Sequence, residues 1–376
     1  MMLACYEGAL PRQILKELVR QGMISDVAEK SIGPASVDLT LSDVCYRVSE
    51  FPILAQGERI QDLVNTREWC TPHNLSDPLE VGRTYLAKLN QRLRLPDSVY
   101  GFSNPRSKSG RHDLLVRMLA DGVPCFDSAT PGGYIGDLWV LVSPSSFPVI
   151  IPPGEAVNQL RLFNRDTRLS RKEIKREYTK KIPLLYDHAG EQIPFDSLHQ
   201  GIGEGDSLIL TLELDGAIAG WECRGTEKIL DYRKGKGFYK SHVSQFFTPI
   251  PSTKEMELRP DSFYILTTRE HVLVPPWLAC EMVAMDERYG EFRSHYAGYI
   301  DPGWGFGQNG EEHGRQLTLE VRPFGRPMVL RNHQPIARIK FERVAGVPDV
   351  HYDSAEKGSD FKGQQGPQLS SYFFPR

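Results

Sequence analysis

The sequence reads Tyr85-Leu86-Ala87 and then Leu93-Arg94-Leu95-Pro96 in its first half, and Tyr264-Ile265-Leu266 and then Val272-Leu273-Val274-Pro275 in its second half. Both parts of this pattern recur at an offset of 179 positions. Apolar runs that end at proline or glycine continue along the chain, which has 27 prolines and 33 glycines. Short strands separated by turn residues are typical of all-β sandwiches and barrels. The pattern therefore predicts a mainly β chain in which one domain occurs twice.

Other segments extend the repeat. Pro148-Val149-Ile150-Ile151 returns as Pro327-Met328-Val329-Leu330, and Leu39-Thr40-Leu41 is echoed by Leu210-Thr211-Leu212. Chance similarity among strands is the weaker explanation, because the prolines match as well. We predict a first domain over 1–163, a charged linker over 164–204, a second domain over 205–345 and a C-terminal lid tail over 346–376.

Composition argues against several classes of protein. The formal net charge is −3, so the chain lacks the basic excess of proteins that bind nucleic acids or membrane surfaces through bulk charge. No apolar run reaches the ~18–20 residues of a membrane span, and the first 22 residues lack the layout of a signal peptide. The six cysteines are scattered, without a C-x-x-C pair. This favours reduced thiols, a cytoplasmic location and no zinc site.

Two helical segments are predicted. Apolar residues recur at helical spacing over 11–21, at Ile14, Leu15, Leu18 and Val19. The strongly charged stretch from Arg161 to Lys181 is interpreted as a solvated connecting helix and linker, with a partner-binding arm as the alternative.

The first segment with chemical character is Arg106-Ser107-Lys108-Ser109-Gly110-Arg111. Guanidinium forks, an ammonium group and hydroxyls are donors that suit phosphate oxygens. The glycine would allow a sharp turn or a close approach of the backbone to a ligand. The segment fits a polyphosphate site, although an exposed basic turn would have the same composition.

Two segments of the second half place carboxylates on strands. In Ala297-Gly298-Tyr299-Ile300-Asp301-Pro302-Gly303-Trp304, a strand enters a turn, and Asp301 is positioned to face a ribose or a base. In Gln316-Leu317-Thr318-Leu319-Glu320-Val321, alternation puts Glu320 on one face with Gln316 and Thr318. Glu320 is therefore a candidate general base. A structural turn aspartate and a solvent-facing glutamate are the alternatives.

The C-terminal segment from Tyr352 to Pro367 is polar and rich in glycine, and it contains Lys362 and Gln364. We interpret it as a lid over bound phosphates, with a disordered chain end as the alternative.

The two halves differ at the positions that carry chemistry. At the offset of 179, Leu141 stands where the second half has Glu320, and Asp286-Glu287 stand where the first half has Ser107-Lys108. Acids at those positions would repel phosphate. Because each half keeps what the other lacks, we predict one composite site, built within one chain or across two chains of an oligomer.

Together these segments resemble the dCTP deaminase branch of the trimeric dUTPase-like superfamily. The chain is similar to it at Ser36 to Leu41, at Arg106 to Arg111 (family R-S-S-x-x-R), at Ala297 to Trp304 (A-G-x-I-D-P-G-aromatic), at Leu317 to Val321 (L-x-L-E) and at Gly363 to Pro367 (G-Q-Q-G-P). Lys108 departs from the usual serine, which leaves the phosphate selectivity open. The resemblance covers most of the chain except the linker and roughly residues 50–80. It implies two tandem dUTPase-like β-barrel or β-clip domains with a few short helices, a long, duplicated form.

The resemblance also implies hydrolytic deamination of dCTP to dUTP and ammonia, a step of pyrimidine deoxynucleotide metabolism, without zinc. The sequence agrees, since it has no P-C-x-x-C segment and none of its ten histidines begins an H-x-E segment. Glu320 would activate water, and the other catalytic groups would be Ser107, Arg111 and Ala297. The implied substrate-binding residues are Arg106, Ser107, Lys108, Ser109, Gly110, Arg111, Asp301, Thr318, Leu319, Glu320, Tyr352, Lys362 and Gln364.

The same resemblance suggests partners and alternatives. Magnesium would arrive on the triphosphate, with no metal ligand from the protein. A homo-oligomer and feedback inhibition by dTTP are expected. The alternative functions are a dUTP diphosphatase, a bifunctional dCTP deaminase and dUTP diphosphatase, and a nucleotide sensor without catalysis.

Overall fold

The computed structural model describes residues 7–66, 69–198, 206–234, 241–294, 297–356 and 361–374. Positions 199–204 of the predicted linker, and Cys5 among the cysteines, lie outside these ranges. The fold is mainly β and contains two similar domains in tandem, which confirms the predicted fold class.

The first domain contains one large antiparallel sheet. Its helices are α1 (Arg12–Arg20), α2 (Ile60–Thr66) and α3 (Ser107–Gly110). Its strands are β1 (Val37–Val48), β2 (Cys70–Pro72), β3 (Thr84–Arg94), β4 (Tyr100–Pro105), β5 (Leu114–Ala120), β6 (Ser128–Ala129), β7 (Ile135–Pro144), β8 (Val149–Ile150) and β9 (Ala156–Phe163). The strand order in the sheet is β5-β7-β3-β1-β9-β4-β6, and β2 pairs with β1.

The rest of the chain begins with helix α4 (Arg171–Lys180). Its strands are β10 (Leu185–Tyr186), β11 (Leu208–Thr211), β12 (Gly220–Cys223), β13 (Leu230–Asp231), β14 (Ser241–His242), β15 (Thr248–Ile250), β16 (Glu255–Leu258), β17 (Phe263–Val272), β18 (Leu278–Val283), β19 (Phe292–Arg293), β20 (Tyr299–Ile300), β21 (Arg315–Pro323), β22 (Met328–Arg331), β23 (Pro335–Arg343) and β24 (Phe373–Phe374). Single turns of 3-10 helix lie at Glu29–Ser31, Phe195–Ser197, Tyr232–Lys234, Val243–Gln245 and Glu287–Tyr289.

The strand register repeats between the domains. Leu86 lies opposite Leu141 in the β3–β7 pair, and Ile265 lies opposite Glu320 in the β17–β21 pair. The register shift between Lys88 and Arg92 on β3 recurs between Thr267 and His271 on β17, again 179 positions later. Because register and irregularity recur together, the repeat seen in the sequence corresponds to a repeated fold.

The two copies bury this strand pair in different ways. In the first domain Leu141 belongs to an apolar cluster with Ile60 and Leu63 of α2. In the second domain Ile265 belongs to the core of the first domain, which extends across the domain boundary. The face of β17 and β21 therefore packs against the first domain instead of against a helix of its own.

The segments flanking the second domain are packed. Helix α4 begins with a capping box of Ser170 and Glu173, and its Ile174 and Tyr178 are buried in the core of the second domain. At the C-terminus, Phe373 is buried in the core of the first domain. Among the described residues, no helix combines the length and the apolar character that a membrane span requires.

Candidate active site

The segment 106–111 forms a compact turn at the end of β4. Arg106 is extended, and α3 follows it at once. The hydroxyl of Ser109 donates to the carbonyl oxygen of Val157 on β9, at 3.0 Å. This bond fixes the short helix to the sheet, so that its flanking cations have defined positions.

Two of the three cations of this turn form ion pairs with the first domain. Arg106 Nη1 donates to Asp38 Oδ2 at 2.6 Å. Lys108 pairs with Glu155 and lies 5.0 Å from the centre of the Tyr232 ring. Burial lowers the pKa of Lys108, and the nearby carboxylate of Glu155 opposes this shift.

Arg111 is held by the C-terminal segment. Its Nη2 donates to Gln364 Oε1 at 2.6 Å, and its Nη1 donates to the carbonyl oxygen of Gln368 at 2.8 Å. The guanidinium lies 3.7 Å from the centre of the Phe361 ring. The predicted lid tail therefore contacts the loop 106–111 in this structure.

Glu320 comes from β21 of the second domain and is buried. Its Oε2 accepts a hydrogen bond from the backbone N–H of Ala297, at 2.9 Å. A Cβ atom at Gly110 would lie 2.3 Å from the same Oε2 atom and 2.4 Å from Oε1. The absence of a side chain at Gly110 thus allows the carboxylate to lie directly against α3 of the first domain.

The loop and the carboxylate line one cavity of about 840 Å³ within a single chain. Of the residues predicted for the site, the cavity is lined by Arg106, Ser107, Lys108, Arg111, Ala297, Asp301, Thr318, Glu320, Tyr352 and Gln364. Sequence reasoning left open whether the two parts meet within a chain or between chains. Here they meet within one chain.

Four predicted residues do not line this cavity within the described part of the chain. Ser109 bonds to Val157, and Gly110 makes room for Glu320. Leu319 is buried in the second core, since the alternation of β21 directs it away from Glu320. Lys362 donates to the carbonyl oxygens of two residues, Asp353 at 3.1 Å and Ser354 at 3.2 Å.

A second wall of the cavity contains Asp301, Thr318 and Tyr352. The backbone N–H of Tyr352 donates to the carbonyl oxygen of Pro302 at 2.8 Å. The centres of the Tyr352 and Trp304 rings lie 5.0 Å apart. Thr318 Oγ1 is buried and has no hydrogen-bond partner among the described residues. This wall thus combines a carboxylate, a hydroxyl and aromatic surface, the groups that a sugar and a base require.

An ion pair near the cavity joins the two domains. Arg322, two residues after Glu320, pairs with the buried Asp113, two residues after Arg111. Ser146 donates to Asp113 Oδ2 at 2.6 Å and lies 3.1 Å from the Arg322 guanidinium. Because the pair connects the end of the loop to β21, it holds the loop and Glu320 in one arrangement.

Sequence analysis missed several residues of the site. Asp38 and Glu155 pair with the loop, and Arg12 and Lys30 also line the cavity. Asp38 stands within the quoted segment Ser36 to Leu41, so its carboxylate was a usable signal. Arg12 lies within the predicted helix over 11–21, whose pattern carried no sign of ligand binding, and Lys30 and Glu155 lie outside the segments with chemical character.

Comparisons with known proteins agree with this geometry. The sequence model described as "2'-deoxycytidine 5'-triphosphate deaminase (DCD) N-terminal domain" matches residues 6–166. The model of the C-terminal domain of the same family matches residues 173–373. This chain is similar to a solved structure of 2'-deoxycytidine 5'-triphosphate deaminase from Agrobacterium tumefaciens, with a TM-score of 0.80 and 29% sequence identity. The match covers 91% of this chain and 97% of the solved chain.

Curated relatives match a shorter stretch. The "dCTP deaminase, dUMP-forming" of Methanosphaera stadtmanae is 30% identical over 124 residues, 32% of this chain and 58% of the relative. The "dCTP deaminase" of Natronomonas pharaonis is 30% identical over 126 residues, 33% of this chain and 60% of the relative. The matched stretches thus span about three fifths of these relatives. Since the C-terminal model alone matches more than half of the chain, the chain belongs to the 2'-deoxycytidine 5'-triphosphate deaminase family.

Proposed function

We propose that this protein hydrolyses the C4 amino group of dCTP and releases dUTP and ammonia. The observation that carries the proposal is the position of Glu320, whose carboxylate lies against the loop 106–111 inside one cavity. A buried carboxylate beside cations and hydroxyls supplies both a proton acceptor and a place for a charged nucleotide. Membership of the family supports the same substrate.

Glu320 acts as the general base and then as the general acid. It takes a proton from a water molecule as the oxygen attacks C4 of the cytosine ring. It gives this proton to ring N3, and then takes the remaining proton from the new C4 hydroxyl and gives it to the amino group. The C4 carbonyl forms as the C4–N bond breaks and ammonia leaves. The Ala297 N–H holds Glu320 Oε2 at 2.9 Å, so the carboxylate keeps one orientation through these transfers.

Other residues of the cavity position the nucleotide. Ser107 holds the water or the 4-amino group, and Asp301 binds the 3′-hydroxyl of the deoxyribose. Arg106, Lys108 and Arg111 face the phosphates, and Gln364 holds Arg111 from the tail side. Magnesium enters as part of the substrate, on the triphosphate oxygens.

Glu320→Gln tests this mechanism. The amide keeps the size of the side chain and removes the proton acceptor, so ammonia release from dCTP should fall by about 10²–10⁴-fold. Binding of dCTP, measured by calorimetry, should remain within a few-fold of the unmutated protein. Glu257→Gln, an exposed change on β16, is the matched control. Near-normal turnover of Glu320→Gln would refute the role of Glu320.

A bifunctional enzyme that also cleaves dUTP is the second candidate. The names of the relatives from Methanosphaera stadtmanae and Methanobrevibacter smithii include "dUMP-forming". This favours the bifunctional activity in those two proteins. Product analysis with dCTP and dUTP as substrates distinguishes the candidates, because dUMP and pyrophosphate form only if the phosphate chain is cleaved. Binding of dCTP without any product would instead identify a sensor. The homo-oligomer, inhibition by dTTP and the cytoplasmic location stay predictions.

A further inference from the structure

The cations of the loop are already engaged by the protein. Arg106 pairs with Asp38, Lys108 pairs with Glu155, and Arg111 is bonded to the tail. Two of these charges are therefore balanced by carboxylates before any ligand binds. A triphosphate carries several negative charges, so it needs cations beyond these three.

Two further cations line the same cavity from the N-terminal segment, Arg12 and Lys30. Arg12 Nη1 is buried and has no hydrogen-bond partner among the described residues. Asp349 Oδ2 lies 4.0 Å from this Nη1 atom, and Glu29 Oε1 lies 3.9 Å from Nη2, so both carboxylates are beyond hydrogen-bond distance. Glu29 lies closer to Lys16, at 2.8 Å.

Lys30 is exposed on the cavity wall, and no ion pair joins it to another described residue. A buried guanidinium nitrogen without an acceptor is unfavourable, and an anionic ligand would supply the acceptor. The N-terminal segment thus presents two cations with unused hydrogen-bonding capacity to the cavity.

One continuous stretch of cavity wall connects the N-terminal cations, Arg12 and Lys30, with the cations of the loop 106–111. The backbone N–H of Arg12 donates to the carbonyl oxygen of Pro34 at 2.8 Å, and Asp38 binds Arg106. Pro34, Ser36 and Asp38 all line the cavity. Arg12 and Arg106 are held at the two ends of this segment, so a ligand that contacts both must extend along it and carry more than one negative charge.

We propose that Arg12 and Lys30 bind the outer phosphates of the nucleotide and so set a preference for triphosphates over monophosphates. The identity of the nucleotide rests on the proposed function, whereas the phosphate contacts do not. The site would bind inorganic tripolyphosphate as well, because the two residues recognise only the phosphate chain.

The experiment compares Arg12→Gln and Lys30→Gln with Arg20→Gln. This control removes an exposed cation, paired with Glu17, from the helix that contains Arg12. Binding of tripolyphosphate is measured by calorimetry, and the kinetics of dCTP and inhibition by dCMP are measured in parallel. We expect each cavity variant to raise the Kd of tripolyphosphate and the KM for dCTP by about tenfold or more. The kcat and the inhibition constant of dCMP should stay within about threefold, and Arg20→Gln should behave as the unmutated protein.

The two proposals fail in different ways. If tripolyphosphate binds the cavity variants as tightly as Arg20→Gln, Arg12 and Lys30 are not phosphate ligands. If those variants lose tripolyphosphate while the unmutated protein releases no ammonia from dCTP, the phosphate contacts stand and the deaminase function fails. Arg12→Lys should recover most of the affinity. Affinity that stays lost in Arg12→Lys, together with a lower melting temperature, would indicate a structural role and overturn the proposal for Arg12.

Discussion

At the scale of single residues, Gly110 decides whether the two domains can share a site. The carboxylate of Glu320 occupies the space that a side chain at position 110 would need, with the nearest atom 2.3 Å from an added Cβ. The sequence suggested that this glycine lets the backbone turn or approach a ligand. In the structure it is the carboxylate of Glu320 that approaches.

Gly110→Ala should therefore displace Glu320 while leaving the fold intact, because α3 accepts alanine. We expect ammonia release from dCTP to fall by about a hundredfold or more, as on loss of a general base. Gly216→Ala is the control, since this exposed glycine would bring its Cβ no closer than 3.3 Å to the carbonyl oxygen of Ile218. Equal turnover of the two variants would contradict the contact.

At the scale of elements, the C-terminal segment forms part of the cavity wall. Gln364 bonds to Arg111 through its side-chain oxygen and donates to the carbonyl oxygen of Gln316 at 2.9 Å. The indole of Trp221 donates to the carbonyl oxygen of Pro367 at 2.8 Å. These bonds attach the tail to β21 at Gln364 and to β12 at Pro367. The glycine-rich composition of the tail did not predict these contacts.

Gln364→Ala should weaken substrate binding, because Arg111 loses a charge-assisted partner. We expect the KM for dCTP to rise roughly tenfold. Gln368→Ala is the control, since Arg111 donates to the backbone carbonyl oxygen of that residue, which the substitution keeps. The kinetic constants of both variants decide the point, and an equal rise in KM would show that the Gln364 side chain is not the contact.

At the scale of the whole molecule, a buried charge cluster joins the domains. Arg161 of β9 pairs with Glu281 of β18 at 2.9 Å and with Glu342 of β23 at 2.7 Å. Burial raises the pKa of Glu342 to about 7; Arg161 opposes the shift, and the nearby Glu281 adds to it. The folded protein thus holds a proton on Glu342 at pH values where an unfolded chain has released it.

The folded state should lose stability as the pH rises from about 4.5 to about 7, the window between the unfolded and folded pKa values of Glu342. Glu342→Gln removes this titration and still accepts a hydrogen bond from Arg161. The decrease in the free energy of unfolding between pH 5 and pH 8, measured in urea, should be smaller in the variant by about 1–3 kcal/mol. Identical pH profiles would exclude Glu342 as the titrating group.

Much of this molecule was predictable where information is local or periodic. Helix α1 occupies Arg12–Arg20 within the predicted span, and the offset of 179 reappears as a shared strand register. Arg161 was grouped with a solvated charge run, but it is buried. Its partners lie 120 and 181 positions further along the chain, so no local pattern indicates them.

The same limit applies to the site. Loop 106–111 was recognisable from its residue types, and Glu320 from the alternation of polar and apolar residues along its strand. The acids that balance the loop are Asp38 on β1 and Glu155 immediately before β9, and the pairing of β1, β9 and β4 in the sheet places them beside it. Leu141, the counterpart of Glu320 in the first domain, is apolar because α2 covers that face of the sheet. Only the packing explains why the two domains differ at this position.

A single polypeptide carrying both parts of the cavity has a genetic consequence. In proteins whose sites form between separate subunits, one inactive subunit in a mixed oligomer also inactivates the sites that it shares with its neighbours. Here the loop 106–111 and Glu320 line one cavity of a single chain. A substitution at Glu320 or in the loop therefore changes only the cavity of the molecule that carries it. We expect an allele with such a substitution to be recessive.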